Sequence, residues 1–445
     1  MRLFVDVCHL LIGLLALPFL ALSAARTGKY RTDWDQRTGH MPDLPRVPKR
    51  VWVHAVSVGE VNAVRGLIAA WRERSPDTEF VISTTTDTGK AQAQRVYPDL
   101  LVVRYPLDLS WWVRRAFRRI KPTLIVLVEL EVWFHFTTIA QAEGIPIAVV
   151  NGRLSEHSVR WFARLGPIAW RMFGAITWAG VQDKIYAARF ERMSVPHERI
   201  DVVGSLKWDN AANAPAIDAK DQLALTRALG INPEQPIWLC GSTGPGEEAV
   251  ILDAYEQLRE KHPGLQLVIV PRKPERFDEV AGMITAGGWT CVRRSQCPED
   301  ANRSPDPKAV ILGDTMGELR RFYSISDVVF VGRTLAAMGG SDMMEPAALA
   351  KPIIVGPHTD NFADVMQRFT ESPDEAIYEI HCGLGKPDVV MALADAVGAL
   401  LDDKDRAARM SAAAKAVVDT NSGVIERTLN RLLDLQQATM VGSKT

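Results

Sequence analysis

Short, nearly continuous apolar runs alternate with amphipathic stretches along almost the whole chain. Helical stretches such as Ala63–Arg74 and Ala91–Tyr97 separate the runs of the first half. These runs have the β-branched character of strands buried on both faces, and they are Val51–Val56, Phe80–Thr84, Leu101–Tyr105, Leu124–Val128, Ile147–Asn151, Trp178–Val181 and Ile200–Val203. Strands that alternate with helices predict βαβ units and therefore a doubly wound parallel sheet.

The same rhythm restarts after a polar segment. Asp209–Lys220 is rich in Ala, Asn, Asp and Pro and is typical of a linker. The strands predicted beyond it are Ile237–Cys240, Leu265–Val270, Val310–Leu312, Val328–Val331 and Pro352–Val355, with helices such as Glu247–Lys261 between them. We therefore predict an α/β fold of two Rossmann-like domains, over residues 36–210 and 221–437, that face a cleft.

The N-terminal segment differs from both halves. Phe4–Ala25 is almost wholly apolar and long enough for one membrane crossing. Arg26 and Lys29 follow it, which places the downstream side in the cytoplasm by the positive-inside rule. We expect a membrane anchor over residues 1–30. A cleaved signal peptide, suggested by the small residues of 21–24, and a helix lying in the membrane interface are the alternatives.

Composition narrows the classes of protein that fit this pattern. The 445 residues carry 52 Lys plus Arg against 53 Asp plus Glu, for a net charge of -1. This balance argues against a dedicated nucleic-acid binder, which normally shows a basic excess. The five cysteines form no C-x-x-C pair, which disfavours a disulfide scaffold and a structural zinc site. The chain is therefore expected to be a reduced, multi-domain enzyme.

Tryptophan is concentrated in the first half, where ten of the 12 lie at or before Trp208. Two of them open Trp111–Lys121, in which apolar side chains share one helical face and arginines share the other. Such a basic amphipathic helix is typical of a membrane surface. A crossover helix that packs its apolar face on the sheet would have the same pattern, and both interpretations stay open. A second aromatic and basic stretch, 161–178, favours a surface near lipid or another amphiphile.

Acidic residues follow two of the predicted strands. Glu60 closes the segment His54–Glu60, where a strand ends and a helix begins, and an ionised, exposed carboxylate there can act as a general base. The same residue also completes an S-x-x-E capping box with Ser57, which is a purely structural role. Glu129 and Glu131 follow another strand and favour a polar cleft, although ordinary loop charges would show the same pattern.

Cations follow other strands. Lys207 could counter negative charge on a phosphate leaving group, or it could be a solvated loop residue. The segment Pro271–Phe277 carries Arg272, Lys273 and Arg276, a cluster suited to phosphate or carboxylate. A solvated charged turn is the structural alternative for this cluster.

Two glycine-rich turns precede helices. Gly241–Gly246 could bind an anion through its backbone N–H groups, but it matches neither dinucleotide nor P-loop spacing, and helix capping is the alternative. In Gly339–Pro346, Glu345 could accept hydrogen bonds from ribose hydroxyls or serve only the helix dipole. The chain has no H-E-x-x-H and no G-x-S-x-G, and its D-x-D segments at Asp33 and Asp403 do not follow strands. A metal-dependent sugar-nucleotide site is therefore disfavoured.

These motifs, in this order, resemble those of the 3-deoxy-D-manno-octulosonic acid (Kdo) transferases of lipopolysaccharide synthesis. The likeness extends from the N-terminal segment to the last helices. The motifs that carry it are S-V-G-E at Ser57–Glu60, E-x-E-x-W at Glu129–Trp133, N-x-R-L-S at Asn151–Ser155, G-x-x-K at Gly204–Lys207, P-R at Pro271–Arg272, D-T-M-G-E-L at Asp314–Leu319, E-P-A-A-L at Glu345–Leu349 and V-G-P-H-T-x-N-F at Val355–Phe362. So many ordered matches are specific, whereas any one motif alone is not.

The resemblance implies a GT-B fold and a metal-independent, inverting glycosyltransferase that moves Kdo from CMP-Kdo to a hydroxyl of a lipid A precursor. It implies that Glu60 deprotonates the acceptor hydroxyl and that Glu131 and Lys207 stabilise the transition state. It also places the enzyme at the inner membrane with its catalytic domains on the cytoplasmic side, and it implies no cofactor. The residues implied in binding CMP are Pro271, Arg272, Met316, Gly317, Glu318, Asp342 and Glu345.

The sequence departs from the family pattern at three places. Ser341 and Asp342 stand where the family has H-N, so a carboxylate replaces a neutral amide near the nucleotide and would tend to repel phosphate unless paired. Gly244 replaces a histidine, and Phe134 and His135 replace a proline and an asparagine. Two further hypotheses therefore stay open: a related GT-B enzyme with another sugar nucleotide or acceptor, and a non-catalytic membrane-docking module.

Overall fold

The computed structural model describes residues 1–27, 32–381 and 386–442 and divides them into two compact units. Unit 1 comprises Met1–Asn210 and Asn421–Thr445, and unit 2 comprises Ala211–Thr420. The division falls within the predicted linker, Asp209–Lys220.

Unit 1 is built on one sheet of seven parallel strands in the order β3-β2-β1-β4-β5-β6-β7. The strands are β1 (Arg50–His54), β2 (Glu79–Thr84), β3 (Leu101–Arg104), β4 (Leu124–Val128), β5 (Ile147–Gly152), β6 (Trp178–Val181) and β7 (Ile200–Val202). All seven strands predicted in this half are present, with ends that differ by at most two residues. Every residue of β1, β4, β5 and β6 is buried, as expected for strands covered on both faces.

Helices cover both faces of this sheet, and two hydrophobic clusters fill the space between the layers. Several helices begin at a Ser, Thr or Asp whose side chain accepts a backbone N–H three residues later, as Thr86 does for Gly89 and Asp183 does for Tyr186. The helices are α1 (Arg2–Thr27), α2 (Trp34–Arg37), α3 (Val58–Ala63), α4 (Arg65–Arg74), α5 (Asp87–Val96), α6 (Ser110–Ile120), α7 (Phe134–Ala142), α8 (Glu156–Ala163), α9 (Pro167–Gly174), α10 (Lys184–Arg192) and α11 (Leu206–Ala212), with a 3-10 turn at His197–Arg199.

Helix α6 contains most of the amphipathic stretch 111–121, for which a membrane-surface helix and a crossover helix were both open. Its apolar residues Val113, Phe117 and Ile120 are fully buried in the core of unit 1, whereas Arg118 is exposed. The helix is therefore a crossover helix of the sheet. The membrane-surface interpretation of this helix is wrong, because its apolar face is already covered by the core.

The tryptophans of the first half divide between core and surface. Four are core residues: Trp52, Trp71, Trp178 and Trp208. Five are exposed by 40–52%: Trp34, Trp111, Trp133, Trp161 and Trp170. About half of the tryptophan excess is thus explained by packing, and half lies on the surface of unit 1.

The N-terminal helix differs from the predicted anchor. Within the residues that the structure describes, no helix combines the length and the apolar character needed to cross a bilayer. Residues 28–30 of the predicted anchor lie outside the described residues. Helix α1 contains Asp6 and Pro18 within its apolar run.

The first turns of α1 are docked on unit 1. Asp6 is 4% exposed, and its Oδ1 accepts the backbone N–H of Ser110 at 2.8 Å. Arg2 donates from Nη2 to the carbonyl oxygen of Thr138 at 2.7 Å. Large apolar side chains remain exposed along the same helix: Leu3, Phe4, Val7, Leu10, Leu11, Ile12, Leu14, Leu15 and Phe19. One side of α1 thus belongs to the fold of unit 1, while much of its apolar surface is uncovered.

Unit 2 repeats the architecture with a second sheet of seven parallel strands, in the order β10-β11-β9-β8-β12-β13-β14. The strands are β8 (Ile237–Thr243), β9 (Gln266–Pro271), β10 (Thr290–Arg293), β11 (Ala309–Leu312), β12 (Val328–Val331), β13 (Ile353–Val355) and β14 (Tyr378–Glu379). The helices are α12 (Ala219–Leu229), α13 (Glu247–Lys261), α14 (Phe277–Ala286), α15 (Leu319–Ile325), α16 (Met344–Ala348), α17 (Ala363–Thr370), α18 (Lys386–Asp402) and α19 (Lys404–Asn421), with 3-10 turns at Pro274–Arg276, Arg294–Gln296 and Asp360–Phe362.

Five strands of this sheet were predicted and two were not. The two missed strands, β10 and β14, lie at opposite edges of the sheet. Three of the four residues of β10 and both residues of β14 are only half-buried, so neither strand has the continuous apolar run by which the others were recognised. Edge strands carry weaker hydrophobic signals because one side of them meets solvent.

The last helix, α20 (Val424–Gly442), returns to unit 1. Asp209 fixes its start by accepting the backbone N–H groups of Gly423 and Ile425, each at 2.6 Å. The predicted second domain extended to residue 437 and so differs from this division. Sequence pattern does not show the difference, because an amphipathic helix can bury its apolar face on either sheet.

Candidate active site

Several predicted site residues lie at one edge of the unit 1 sheet. Strands β1, β4 and β5 are adjacent and parallel, so their carboxyl ends lie side by side. Ser57–Glu60 follows β1, Glu129–Trp133 follows β4, Asn151 is the last residue but one of β5, and Lys207 lies in the first turn of α11, beyond β7. We call this row of carboxyl-terminal strand ends the carboxyl edge of unit 1.

Glu60 occupies the first turn of α3 and is only 9% exposed. The Glu60 N–H donates to the Ser57 hydroxyl oxygen at 3.4 Å, which is one half of the predicted capping box. Glu60 Oε1 accepts the Ser57 hydroxyl at 2.9 Å, and Oε2 accepts the N–H of Val56 at 2.8 Å where the full box would use that of Ser57. Burial raises the pKa of Glu60 to about 7, against these two hydrogen bonds. The sequence-based expectation of an exposed carboxylate was therefore wrong. Val58 at the start of α3 is exposed, but the Glu60 side chain turns back to the Val56 N–H and the Ser57 hydroxyl. A carboxyl that titrates near neutral pH is nevertheless well suited to accept a proton.

Two further carboxyl groups lie near Glu60. The negative charges of Glu129 and Glu131 add to the rise in the pKa of Glu60. Burial also raises the pKa of Glu131, with a further contribution from Glu129, while the indole N–H of Trp133 donates to Glu131 Oε2 at 3.0 Å and opposes the rise. Glu129 is held in the left-handed region at φ 60°. Three mutually repelling acids favour retention of a proton among them, which is common at acid–base sites.

His54 completes this edge and was not assigned a role from the sequence. It ends β1, is fully buried and stacks on Tyr105 with 3.8 Å between ring centroids. Its Nε2 lies 4.0 Å from Glu131 Oε2 and has no hydrogen-bond partner among the described residues. Burial lowers the pKa of His54 to about 3, so the ring is neutral. A histidine within an otherwise apolar buried strand was the sequence signal that could have identified it.

Lys207 is placed at the same edge by a hydrogen-bonded turn. Asn151 Oδ1 accepts the backbone N–H of Leu206 at 3.1 Å and lies 3.4 Å from the Ser205 hydroxyl. Gly204 has φ +99°, and a Cβ on it would lie 2.9 Å from Val424. The G-x-x-K motif is thus explained by a tight turn that positions a half-buried lysine.

At the corresponding edge of unit 2, the first acids of α13 serve the fold. The carboxylate of Glu247 is buried and accepts backbone N–H groups from Gly244, Arg333, Thr334 and Leu335 at 2.6–3.0 Å. It therefore ties the turn after β8 to the turn after β12. The N–H of Gly244 is already satisfied, which favours the capping role over anion binding at this turn.

The predicted cation cluster after β9 is divided. Arg276 is buried and pairs with Glu248 and Glu279, so it serves the fold and is not available to a ligand. Arg272 and Lys273 are exposed. The interpretation of all three cations as one phosphate-binding group was therefore wrong, because a fully buried carboxylate at Glu248 requires a charged partner.

The Met316–Glu318 turn has a similar character. Glu318 pairs with Arg294 at 3.0 Å and with Arg321 at 2.6 Å. Gly317 has φ +87°, and Met316 is 65% exposed. The carboxylate of Glu318 thus shapes the turn, while Met316 presents an apolar side chain at its tip.

A second group of charges surrounds Glu345 at the start of α16. Burial raises the pKa of Glu345, with a contribution from Asp342, and the positive charges of Arg320 and Arg272 oppose the rise. The hydroxyl of Tyr323 is buried nearby without a hydrogen-bond partner among the described residues, and its pKa is raised by burial and by these two acids. Acids, arginines and a buried hydroxyl form a set that can bind polar groups of a nucleotide.

Pro271 ends β9, and Arg272 donates its backbone N–H to the Thr243 carbonyl at 3.0 Å. These contacts place Arg272 at the carboxyl edge of unit 2, where the charges around Glu345 also lie. Among the residues that the structure describes, no group of three or more His, Cys, Asp or Glu side chains is arranged to hold a metal ion.

A family match and similarity to individual proteins both relate this chain to the same family. Residues 32–210 match the family described as 3-Deoxy-D-manno-octulosonic-acid transferase (kdotransferase). A 3-deoxy-D-manno-octulosonic acid transferase of Haemophilus influenzae is 32% identical over 94% of this chain and 95% of its own length. The protein of the same description from Bordetella pertussis is 33% identical over 86% of this chain and 87% of its own.

Solved structures share the fold. A glycosyltransferase from Rickettsia africae has a TM-score of 0.55, with 12% identity over 88% of this chain and 98% of its own. A UDP-GlcNAc 2-epimerase from Neisseria meningitidis has a TM-score of 0.57, with 11% identity over 86% of this chain and all of its own. The α/β class with two parallel sheets is thereby confirmed, and its structural neighbours include a glycosyltransferase.

Proposed function

The chain belongs to the 3-deoxy-D-manno-octulosonic acid (Kdo) transferase family and is a glycosyltransferase, and we propose that it moves Kdo from CMP-Kdo to a hydroxyl of a lipid A precursor. One observation carries the mechanism. A buried carboxyl, Glu60, has a pKa of about 7 and lies at the carboxyl edge of unit 1 beside two further acids. A group that titrates at the working pH is the most effective proton acceptor.

The proposed reaction is an inverting displacement. Glu60 takes the proton of the acceptor hydroxyl, whose oxygen bonds to the anomeric carbon of Kdo while the bond from that carbon to the CMP phosphate oxygen breaks. Positive charge develops on the sugar and negative charge on the leaving phosphate in such transition states. Glu131 suits the first charge and Lys207 the second, and both residues lie at the same edge as Glu60.

Unit 2 is the proposed donor domain. Exposed Arg272 and Met316, together with Asp342, lie on turns that follow strands of its sheet, and Glu345 lies in the first turn of α16. Arginine suits the phosphate, and carboxyl oxygens suit ribose hydroxyls. Pro271 shapes the turn that carries Arg272, and Gly317 and Glu318 shape the turn that carries Met316. These three residues therefore contribute to the proposed site by positioning its backbone.

We also propose that α1 attaches unit 1 to the cytoplasmic face of the inner membrane. The exposed apolar side chains of α1 support this proposal, and so do surface tryptophans such as Trp161 and Trp170. The contacts of Arg2 and Asp6 hold the start of α1 beside unit 1, which favours a helix that lies along the membrane over one that crosses it.

Vesicle flotation tests the membrane proposal. Leu11→Glu/Leu15→Glu alters two exposed positions of α1 and should reduce the fraction of protein that floats with anionic vesicles. The matched control is Leu223→Glu, an exposed leucine of unit 2, which should float like the wild type. Equal flotation of all three proteins would contradict attachment through α1.

Mass spectrometry of the acceptor tests the proposed reaction. A lipid A precursor incubated with the enzyme and CMP-Kdo should gain the mass of at least one Kdo, and CMP should be released. Glu60→Gln should yield far less of this product in the same time. A lipid that keeps its mass after incubation with folded wild-type protein and CMP-Kdo would contradict the proposed reaction.

One observation favours a second candidate within the same fold. Asp342 stands where the family has a neutral amide, and it adds negative charge beside Glu345. A related glycosyltransferase that uses another sugar nucleotide is therefore the alternative. Release of UDP, and not CMP, from a panel of donors would favour it. Absence of turnover with every donor would instead favour a non-catalytic docking module.

A further inference from the structure

A chain of buried polar groups runs from the sheet core of unit 1 to Glu131. Trp52 donates from its indole Nε1 to the Ser83 hydroxyl oxygen at 2.8 Å. The same oxygen lies 3.0 Å from His54 Nδ1. His54 Nε2, on the far side of the ring, lies 4.0 Å from Glu131 Oε2. Trp52, Ser83 and His54 are all fully buried, so their polar atoms must be satisfied within the protein.

The position of the histidine proton follows from the hydroxyl of Ser83. Its oxygen already accepts the Trp52 N–H, and its own proton has His54 Nδ1 as its acceptor among the described residues. A Ser83 hydroxyl proton donated to Nδ1 makes Nδ1 the unprotonated nitrogen, and Nε2 then carries the proton of the neutral ring.

The opposite tautomer satisfies fewer groups. With the proton on Nδ1, the ring would donate to the Ser83 carbonyl oxygen at 3.1 Å, which has a second lone pair besides the one that accepts the N–H of Ala55 at 3.0 Å. The Ser83 hydroxyl would then lack an acceptor, and the Nε2 lone pair would face the oxygen of Glu131. Both changes are costly in a buried site.

The ring itself has little freedom to adopt another arrangement. It is stacked on Tyr105 with an interplanar angle of 19°, and Tyr105 is itself in contact with Phe136. The charged group beside Nε2 is Glu131, whose Oε2 lies 4.0 Å away. Glu131 is an acid, so an N–H directed outward from the ring has an acceptor to meet.

We propose that His54 is a positioning residue of the transfer reaction, which directs its Nε2–H at Glu131 and thereby orients the Glu131 carboxylate and keeps it ionised. The Trp52–Ser83 pair sets the tautomer, and the stack on Tyr105 sets the direction of the ring. The 4.0 Å gap closes to a hydrogen bond by a small rotation of the Glu131 side chain when substrate is bound. The inference rests on the proposed function of Glu131 at the sugar.

Two substitutions of His54 separate this role from packing. In His54→Gln, the terminal amide reaches about as far as Nε2 and can still donate to Glu131. In His54→Asn, the shorter amide reaches Ser83 only. We expect kcat to fall roughly tenfold or more in His54→Asn, as for loss of an orienting partner elsewhere, and to fall less in His54→Gln. The KM for CMP-Kdo should stay within about twofold in both.

Ser83 provides a test at a distance from the substrate. Ser83→Ala removes the hydroxyl, so the ring can donate from Nδ1 to the carbonyl of residue 83, and Nε2 loses its proton. Kcat should then fall as in His54→Asn. Ser83→Thr keeps the hydroxyl and should retain the wild-type kcat. Trp52→Phe removes the N–H that occupies the Ser83 oxygen, which can then accept a proton from Nδ1, so kcat should fall in this variant as well.

Nitrogen-15 NMR of the histidine-labelled full chain reads the tautomer without any turnover. The His54 signals, assigned by their loss in His54→Gln, should show the proton on Nε2 in the wild type and in Ser83→Thr, and on Nδ1 in Ser83→Ala. A proton on Nδ1 in the wild type would overturn the proposal, and so would equal kcat values for Ser83→Ala and Ser83→Thr. If the wild type transfers no Kdo, the proposed function fails, while the NMR measurement still shows which nitrogen of His54 carries the proton.

Discussion

Buried carboxylates lie at the carboxyl edges of both sheets, but their partners differ. In unit 2, Glu247 accepts four backbone N–H groups and Glu248 pairs with a buried arginine. In unit 1, the carboxylate of Glu60 accepts one backbone N–H and one hydroxyl. The charged groups that affect its pKa are two other acids, Glu129 and Glu131. Burial raises the pKa of both Glu60 and Glu247, so burial alone does not distinguish them.

The difference shows how a buried acid should be interpreted. An acid whose oxygens are filled by fixed backbone and arginine donors holds turns together and has no free lone pair to offer a substrate. An acid with few donors and like-charged neighbours retains affinity for a proton. The two glutamates at the start of α13 are of the first kind, and Glu60 is of the second.

The largest expected effect is on catalysis. Glu60→Gln removes the proposed base but keeps an S-x-x-Q capping box, because glutamine serves in this motif as glutamate does. We expect kcat to fall by about 10²- to 10⁴-fold, while the Tm changes little. Steady-state kinetics and a thermal melt of the same sample check both outcomes. A large fall in Tm would show that Glu60 is structural, as Glu247 is.

The next effect is on stability in unit 2. Glu248→Ala leaves Arg276 buried without its main partner, which should cost about 3–5 kcal/mol of unfolding free energy. Denaturant titration measures this loss. Glu279→Ala removes the half-exposed partner of the same arginine and should have a much smaller effect. Equal losses for the two variants would contradict the division between the two carboxyl edges.

The pH profile sharpens the interpretation of Glu60. Because the base must be ionised and its pKa is about 7, kcat/KM should fall about tenfold per pH unit below that value. Glu129→Gln removes a neighbouring negative charge, so it should lower the pKa of Glu60 and move the acid limb to lower pH by roughly one unit or less. Initial rates between pH 5 and 9 measure the limb. A shift in the opposite direction would exclude Glu129 as a charge partner of Glu60.

The smallest expected effect concerns the donor. Asp342→Asn restores the neutral amide of the family and removes a negative charge beside Glu345. If CMP-Kdo binds there, its KM should fall about fivefold, or about 1 kcal/mol, as for one partly exposed charge pair. Kinetics with CMP-Kdo measure the change, and Asp364→Asn, on the solvated surface of α17, is the matched control. An unchanged or higher KM would indicate that Asp342 is paired or contacts the donor favourably.

Much of the fold was predictable from local pattern. Central strands such as β4 and β12 were recognised to the residue, because a strand buried on both faces must be apolar throughout. The edge strands β10 and β14 were missed for the same reason, since their solvent-facing positions are polar. The return of α20 to unit 1 was missed because Asp209, which caps its start, is more than 200 positions away in sequence.

The motifs of the candidate site were predictable from the sequence, whereas the burial and the partners of its side chains were not. The S-V-G-E, E-x-E-x-W and G-x-x-K segments follow β1, β4 and β7 as expected. The sequence could not show that Glu60 is buried, that Arg276 is consumed by Glu248, or that His54 faces Glu131. Each of these facts depends on which strand lies beside which, and strand order is not encoded in any local pattern.

The sequence by itself determined two α/β halves, their central strands and the turns that carry Glu60, Glu131 and Lys207, because hydrophobic periodicity and turn residues are local properties. Only the tertiary structure decided which acids keep a proton and which are neutralised. Charge state depends on burial and on partners that the chain brings together from distant positions. The tertiary structure likewise covered the apolar face of α6 with the core while leaving apolar side chains of α1 exposed, although the sequence pattern of each helix was compatible with a membrane.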